Sequence, residues 1–214
     1  MIERILPPGV ISRSGTADPP DARLLPAEQA LLQDCVPERR REFTTTRHLA
    51  RGALAELGHP GAPLLTGPRG EPRWPAGVVG SLTHCAGYRA VAVAPRSAYA
   101  AVGVDAEPAR PLGPGLLRAV ARPEELPMLA ELTGHAGHVP WDVVLFSAKE
   151  SVYKAWYPLT GRWLGFQGAR LDLHPDGVFT ARVLDPGEGG PDRFTGRWTA
   201  GDGRVATAVT VPAG

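Results

Sequence analysis

An α+β fold made of two similar halves is what this sequence predicts, and three observations carry it. A long amphipathic helical segment spans Pro37 to Leu57; apolar runs with strand character follow it; and the same order, a helix and then a strand meander, recurs from about Ser147 to Val211. Only the order of elements repeats, because the two halves share no visible residue identity.

Met1 to Pro20 reads as a short strand or coil with a Pro-containing turn, and Pro26 to Val36 as a first helix. The second helix is the clearest element. Pro37 suits its first position, Phe43, Leu49, Ala50, Ala53, Leu54 and Leu57 form its apolar stripe, and Gly58 stops it. His59 to Gly77 is a Gly/Pro-rich connection, and a loop of that length with Leu, Arg and Trp in it points to function. Strands are expected at Val78–Thr83, Tyr88–Ala94 and Ala100–Glu107, then a Pro- and Leu-rich segment over Pro111–Pro140 and a helix over about Ser147–Tyr157. Strands at Ala169–Leu173, Val178–Val183, Arg193–Thr199 and Arg204–Val211 close the chain, their alternation marking half-buried antiparallel strands.

The 214 residues carry a net charge of +1, which implies no nucleic-acid-type basic field. No run approaches membrane-spanning length and Met1 to Val10 lacks the make-up of a signal peptide, so a cytoplasmic protein is expected. Cys35 and Cys85 are isolated and support neither a zinc site nor a disulfide scaffold. Lys149 and Lys154 are the only lysines, and both fall in one helix.

Chemistry concentrates in two segments. In Gly103-Val-Asp-Ala-Glu-Pro108 a strand period of two puts Asp105 and Glu107 on one face, with the Ala106 backbone carbonyl between them. Such oxygen ligands suit Mg²⁺ completed by substrate phosphates. In Phe146-Ser-Ala-Lys-Glu-Ser-Val-Tyr-Lys-Ala155, Glu150 and Lys154 stand at i and i+4, so Glu150 is a candidate third carboxylate. The competing reading makes Ser147 and Glu150 a capping box and Glu150–Lys154 a surface ion pair.

Together with Gly80-Ser-Leu-Thr-His-Cys85, Gly70-Glu-Pro-Arg-Trp-Pro75 and Tyr157-Pro-Leu-Thr160, these segments resemble the Sfp-type 4′-phosphopantetheinyl transferases, most closely the actinobacterial branch that serves type I polyketide and mycolate-type synthases. The resemblance runs in order from Arg39 to about Gly165. It implies two lobes related by a pseudo-two-fold axis, each a small antiparallel sheet packed on a long helix, residues 1–108 and 109–214, with coenzyme A in the cleft between them. A monomer is then expected, with apo acyl or peptidyl carrier proteins or domains as partners and neither nucleic acid nor membrane.

The implied reaction is attack by a carrier serine on the β-phosphorus of coenzyme A, releasing 3′,5′-ADP. By the same resemblance, Asp105, the Ala106 carbonyl, Glu107 and Glu150 hold Mg²⁺, with Mn²⁺ able to substitute; Glu150 is also the candidate base, and Lys149 stabilises the leaving phosphate. Coenzyme A is held by Arg39, Arg47, the loop Arg69, Gly70, Glu71 and Pro72, by Thr83 and His84, and by Lys149 and Lys154, with His84 on the α-phosphate. Helix geometry alone selects Arg40 with Arg47, since Arg40, Arg47 and Arg51 fall nearly on one stripe. The carrier docks on Leu112–Leu132, whose Leu116, Leu117, Leu126, Met128 and Leu129 core packing explains equally well. A noncatalytic coenzyme A binder is countered by the presence of Asp105, Glu107, Lys149 and Glu150 together. A nucleotide phosphotransferase is countered by the lack of a Gly-x-x-x-x-Gly-Lys loop.

Overall fold

The computed structural model describes residues 1–32 and 35–214. Strand β1 (Ile11–Gly15) precedes α1 (Pro26–Gln29) and the long helix α2 (Pro37–Glu56). The helix expected over 26–36 is therefore a single α turn, extended by one tight turn to Leu32; Gln33 and Asp34 lie outside the described residues, and Val36 is already extended as the residue before α2. The connection to Gly77 holds a short ribbon, β2 (Leu65–Thr66) with β3 (Pro72–Arg73). Then come β4 (Val78–Cys85), β5 (Tyr88–Pro95) and β6 (Tyr99–Pro108).

The Pro- and Leu-rich segment folds as α3 (Pro114–Val120) and α4 (Leu126–His135). Helix α5 (Trp141–Thr160) follows, and β7 (Ala169–Leu173), β8 (Val178–Val183), β9 (Arg193–Gly201) and β10 (Arg204–Pro212) form the closing meander. Helix α5 begins six residues before the expected start, so Ser147 is no cap. It is fully buried mid-helix, its hydroxyl 3.0 Å from that of Thr207. Gly161, in the left-handed conformation that favours glycine, ends the helix.

Besides the β2–β3 ribbon, the described residues form two larger antiparallel sheets, one in the order β1-β5-β4 and one in the order β6-β10-β9-β8-β7. Expected as the last strand of the first lobe, β6 pairs by hydrogen bonds with β10, residue for residue from Ala101–Val211 to Pro108–Arg204. Its link to β4 is made by side chains: Ser81 Oγ accepts from Val104 N at 3.0 Å, and Thr83 Oγ1 accepts from Ala106 N at 3.0 Å. The backbone ladder thus puts β6 in the second sheet, and the chain passes from one sheet to the other in the short turn between β5 and β6. Hydroxyls can occupy this seam because burying them costs little once each is hydrogen-bonded.

Helix α2 covers the first sheet through Ala50, Ala53 and Leu54 against Val78, Val91 and Val93. Helix α5 covers the second through Val144, Ala148, Val152 and Trp156 against Leu171, Phe179, Val205 and Val209. A third apolar cluster, with Val79, Ala90, Ala92, Val102, Val104, Ala206 and Ala208, unites both sheets. Strands β4, β5 and β6 are covered on both faces, hence their near-continuous burial, whereas β7 to β9 alternate as expected. With Val102, Val104 and Ala106 turned into the shared cluster, Asp105 turns toward α5.

Candidate active site

A cavity of ≈ 520 Å³ opens between α2, the β2–β3 ribbon, β4 and the C-terminal half of α5. Arg39, Arg47, Arg69, Gly70, Glu71, Pro72, His84 and Lys154 line it, eight of the residues singled out from the sequence. At about 100° per residue, Arg39, Phe43, Thr46 and Arg47 share one arc of α2 that faces the cavity. Arg40 and Arg51 fall on the next arc, against the preceding chain, where Arg40 donates to Leu32 O at 2.7 Å and Arg51 to the buried carboxylate of Glu28 at 2.8 Å. Two of the three arginines in the stripe read from helix geometry, Arg40 and Arg51, therefore brace the N-terminal segment, and Arg39 stands in the cavity with Arg47.

Arg47 is buried, with its guanidinium 3.7 Å from the centroid of the Phe43 ring and Nε donating to Leu64 O at 3.3 Å. Burial lowers its pKa to about 10, and the charges of Arg39 and Arg51 add to this against the opposing charge of Glu28; Arg47 stays cationic at neutral pH. From the same arc of α2, Arg39 Nη1 is 2.5 Å from His84 Nε2 on β4. Burial first, then Arg39, holds the His84 pKa below the usual imidazole value.

Lys154 joins this cationic cavity to the carboxylates, because it lines the cavity and its Nζ donates to Asp105 Oδ1 at 2.7 Å. The ion pair expected between Glu150 and Lys154 is replaced by this one. Asp105 is buried and its other oxygen, Oδ2, has no hydrogen-bond partner among the described residues. Glu107 is pushed up to about 7 by burial, then by Asp105 and Glu150 against the opposing charge of Lys154. Glu150 is raised by burial and by Asp105, again with Lys154 opposing. The three carboxylates therefore feel one another, and a bound cation would relieve them. Among the described residues no three His, Cys, Asp or Glu side chains are gathered closely enough to enclose an ion by themselves.

Two expected ligand contacts fall elsewhere. Thr83 is buried in the seam, where its hydroxyl donates to Asp105 Oδ1 at 3.3 Å, so it meets a carboxylate and not the cavity. Lys149 is also buried: Nζ donates to Val120 O, Glu125 Oε2 and Phe166 O at 2.8–2.9 Å, which uses all three of its protons. Placed at the leaving phosphate by expectation, it here ties α5 to the segment after α3. It borders a smaller pocket of ≈ 150 Å³, with Glu150, Tyr153, Trp163, Leu164 and Phe166, which meets the main cavity at Tyr153.

The sequence reading missed Phe43, Trp74, Arg96, Tyr153 and Tyr157 as cavity residues. Phe43 was within reach, standing i+4 from Arg39 and i−4 from Arg47 on the same helical face. Arg96 was not, since only the β4–β5 pairing brings that hairpin beside the cavity, with Arg96 N on Gly77 O at 2.8 Å. In the expected docking region, Leu129 is buried and Leu117 and Met128 pack on the core, while Leu116 and Leu126 remain exposed.

Residues 27–94 match the family model described as the 4′-phosphopantetheinyl transferase N-terminal domain, and residues 101–208 match that of the 4′-phosphopantetheinyl transferase superfamily. The chain is 50% identical over 221 residues to the 4′-phosphopantetheinyl transferase Svp of Streptomyces mobaraensis, covering 100% of this chain and 90% of that protein. It is 46% identical over 222 residues to the 4′-phosphopantetheinyl transferase Npt of Nocardia iowensis (98% and 99% covered). To the 4′-phosphopantetheinyl transferase PptT of Mycobacterium tuberculosis it is 47% identical over 204 residues (91% and 89% covered).

Proposed function

The chain belongs to the 4′-phosphopantetheinyl transferase superfamily and is an enzyme that transfers the phosphopantetheine arm of coenzyme A to carrier proteins, and we propose that it does so in the cavity between α2 and α5. One observation carries the assignment of the site: Lys154 belongs at once to the cation-lined cavity and to the carboxylate group on β6. A pyrophosphate between them would meet a positive side that binds it and an oxygen-rich side that can share a divalent ion with it.

In this reading Arg39 and Arg47 hold the 3′-phosphate end of coenzyme A, guanidinium groups being matched to phosphate oxygens. Arg69 and the backbone at Gly70, which has φ of +83° and open space where a Cβ would stand, cover the nucleotide. His84 meets the α-phosphate. Lys154 exchanges part of its bond with Asp105 for a phosphate oxygen. The arm extends past Tyr153 into the smaller pocket, where Leu164, Phe166 and Trp163 give it apolar walls.

The oxygens of Asp105, Glu107 and Glu150, with the Ala106 carbonyl, are of the kind Mg²⁺ takes, and Asp105 Oδ2 has no partner among the described residues; since these carboxylates do not enclose an ion by themselves, phosphate oxygens would have to complete the shell. When bound, Mg²⁺ would neutralise pyrophosphate charge. The carrier serine oxygen forms a bond to the β-phosphorus as the bond to the α-phosphate bridging oxygen breaks, and 3′,5′-ADP departs. Glu150 is assigned as essential, as ligand or as acceptor of the serine proton; a metal-bound carboxylate is the weaker base, so the two duties exclude each other at any one moment. Lys149 and Thr83 act as positioning residues, the first for α5, the second for Asp105.

No helix among the described residues is long and apolar enough to cross a membrane, and we place the reaction in the cytoplasm, by a monomer that holds both lobes. Incubation with Mg²⁺, coenzyme A and a panel of apo-carriers tests the function by mass spectrometry. The carrier should gain one phosphopantetheine arm, and Asp105→Ala should abolish the gain while circular dichroism stays native. Undiminished transfer by Asp105→Ala would remove the carboxylates from the mechanism.

A further inference from the structure

One ring nitrogen of His84 faces two partners that no single protonation state can serve. Nε2 lies 2.5 Å from Arg39 Nη1 and 3.3 Å from Glu42 Oε2. A guanidinium only donates, so the contact with Arg39 needs a bare Nε2, whereas a hydrogen bond to Glu42 needs Nε2–H. Arg39 and Glu42 are themselves 3.7 Å apart, and the Glu42 side chain is largely buried at 16% exposure. The charged groups that face the ring are Arg39 and Glu42 from α2, Lys154 from α5 and Arg89 from β5.

We propose that Glu42 is a positioning residue for coenzyme A: when an incoming phosphate draws Arg39 away from His84, Glu42 accepts a hydrogen bond from the now protonated Nε2, so that binding takes up a proton at this ring. The inference rests on the coenzyme A reading of the cavity.

In the free protein, burial and Arg39 keep His84 neutral near pH 7, and Glu42 alone does not overcome them. Binding replaces a neighbouring cation by an anion, and both changes favour imidazolium. The pKa is thus lowered in the free state and rises on binding. Uptake is present between the free and bound values and vanishes below the first and above the second.

Calorimetric titration of coenzyme A at about pH 7.5 tests this, because a phosphate monoester, with its second pKa at about 6, is there already dianionic and adds little proton change of its own. In buffers of different ionisation enthalpy, the binding enthalpy should vary with a slope that signals uptake. That slope should collapse in both Glu42→Gln and His84→Gln. A flat dependence in the unmodified protein, or an undiminished slope in either variant, overturns the proposal. No binding heat with coenzyme A in any buffer overturns the reading of the cavity, and the proposal with it.

Discussion

Lys154 Nζ stands 2.7 Å from Asp105 Oδ1, so the second of the chain's two lysines serves as counter-ion to a carboxylate whose second oxygen has no partner among the described residues. Without the ammonium, Asp105, Glu107 and Glu150 lose the cation that opposes the rise of two of their pKa values. Lys154→Ala is expected to melt lower than the unmodified protein in EDTA and to regain the loss in excess Mg²⁺, read by scanning fluorimetry. Identical melting with and without Mg²⁺ would count against a divalent ion at these carboxylates.

Arg47 faces the cavity and Arg40 is spent on Leu32 O. A charge-assisted hydrogen bond is worth about 1.5–3 kcal/mol, so Arg47→Ala should weaken coenzyme A binding roughly tenfold to a hundredfold. Arg40→Ala should leave the dissociation constant within about twofold of the unmodified protein, since it removes no ligand contact. Equal losses from the two, by calorimetry, would return the choice to the helical stripe.

Lys149 and Glu125 form a buried pair at 2.8 Å, and Glu125 also accepts from Arg122 N and Leu171 N. Removing one partner leaves a buried charge uncompensated, at a cost of roughly 3–5 kcal/mol. Lys149→Ala should shift the urea midpoint strongly downward, and its loss of transfer should follow its loss of fold. A variant that keeps its stability but loses turnover would instead give Lys149 a direct part in the chemistry.

Gly103 lies where β6 crosses α5, and a Cβ there would fall on the carbonyl oxygen of Ser151 and close to the backbone and side chain of Ala155. Gly103→Ala must push the helix that carries Glu150 and Lys154 away from the strand that carries Asp105. A destabilisation of about 1–3 kcal/mol, typical of overpacking, is expected in urea unfolding, together with impaired transfer. Unchanged stability would show that the crossing has slack.

Much of the architecture could be read because it is local. The span of α2, with Pro37 at its start, and the alternation in β7 to β9 follow from side-chain period and backbone preference. The start of α5 could not be read in the same way. Trp141 to Phe146 is apolar on nearly every face because the sheet, α4 and Trp198 surround it, so period gives no boundary there. Strand β6 was legible as a strand, yet its partner β10 lies about a hundred residues further along the chain, and nothing in its own residues names that partner.

By itself the sequence determined which groups are present and that neighbours along one strand, Asp105 and Glu107, share a face. Only the tertiary structure decided what each group meets. It gave Lys154 to Asp105, Lys149 to Glu125, Thr83 to the seam and Arg40 to the N-terminal segment. The physical reason is that helical and strand periods fix direction within one element, whereas the partner of a buried charge or hydroxyl is set by which distant element closes over it, and desolvation then leaves it no other acceptor.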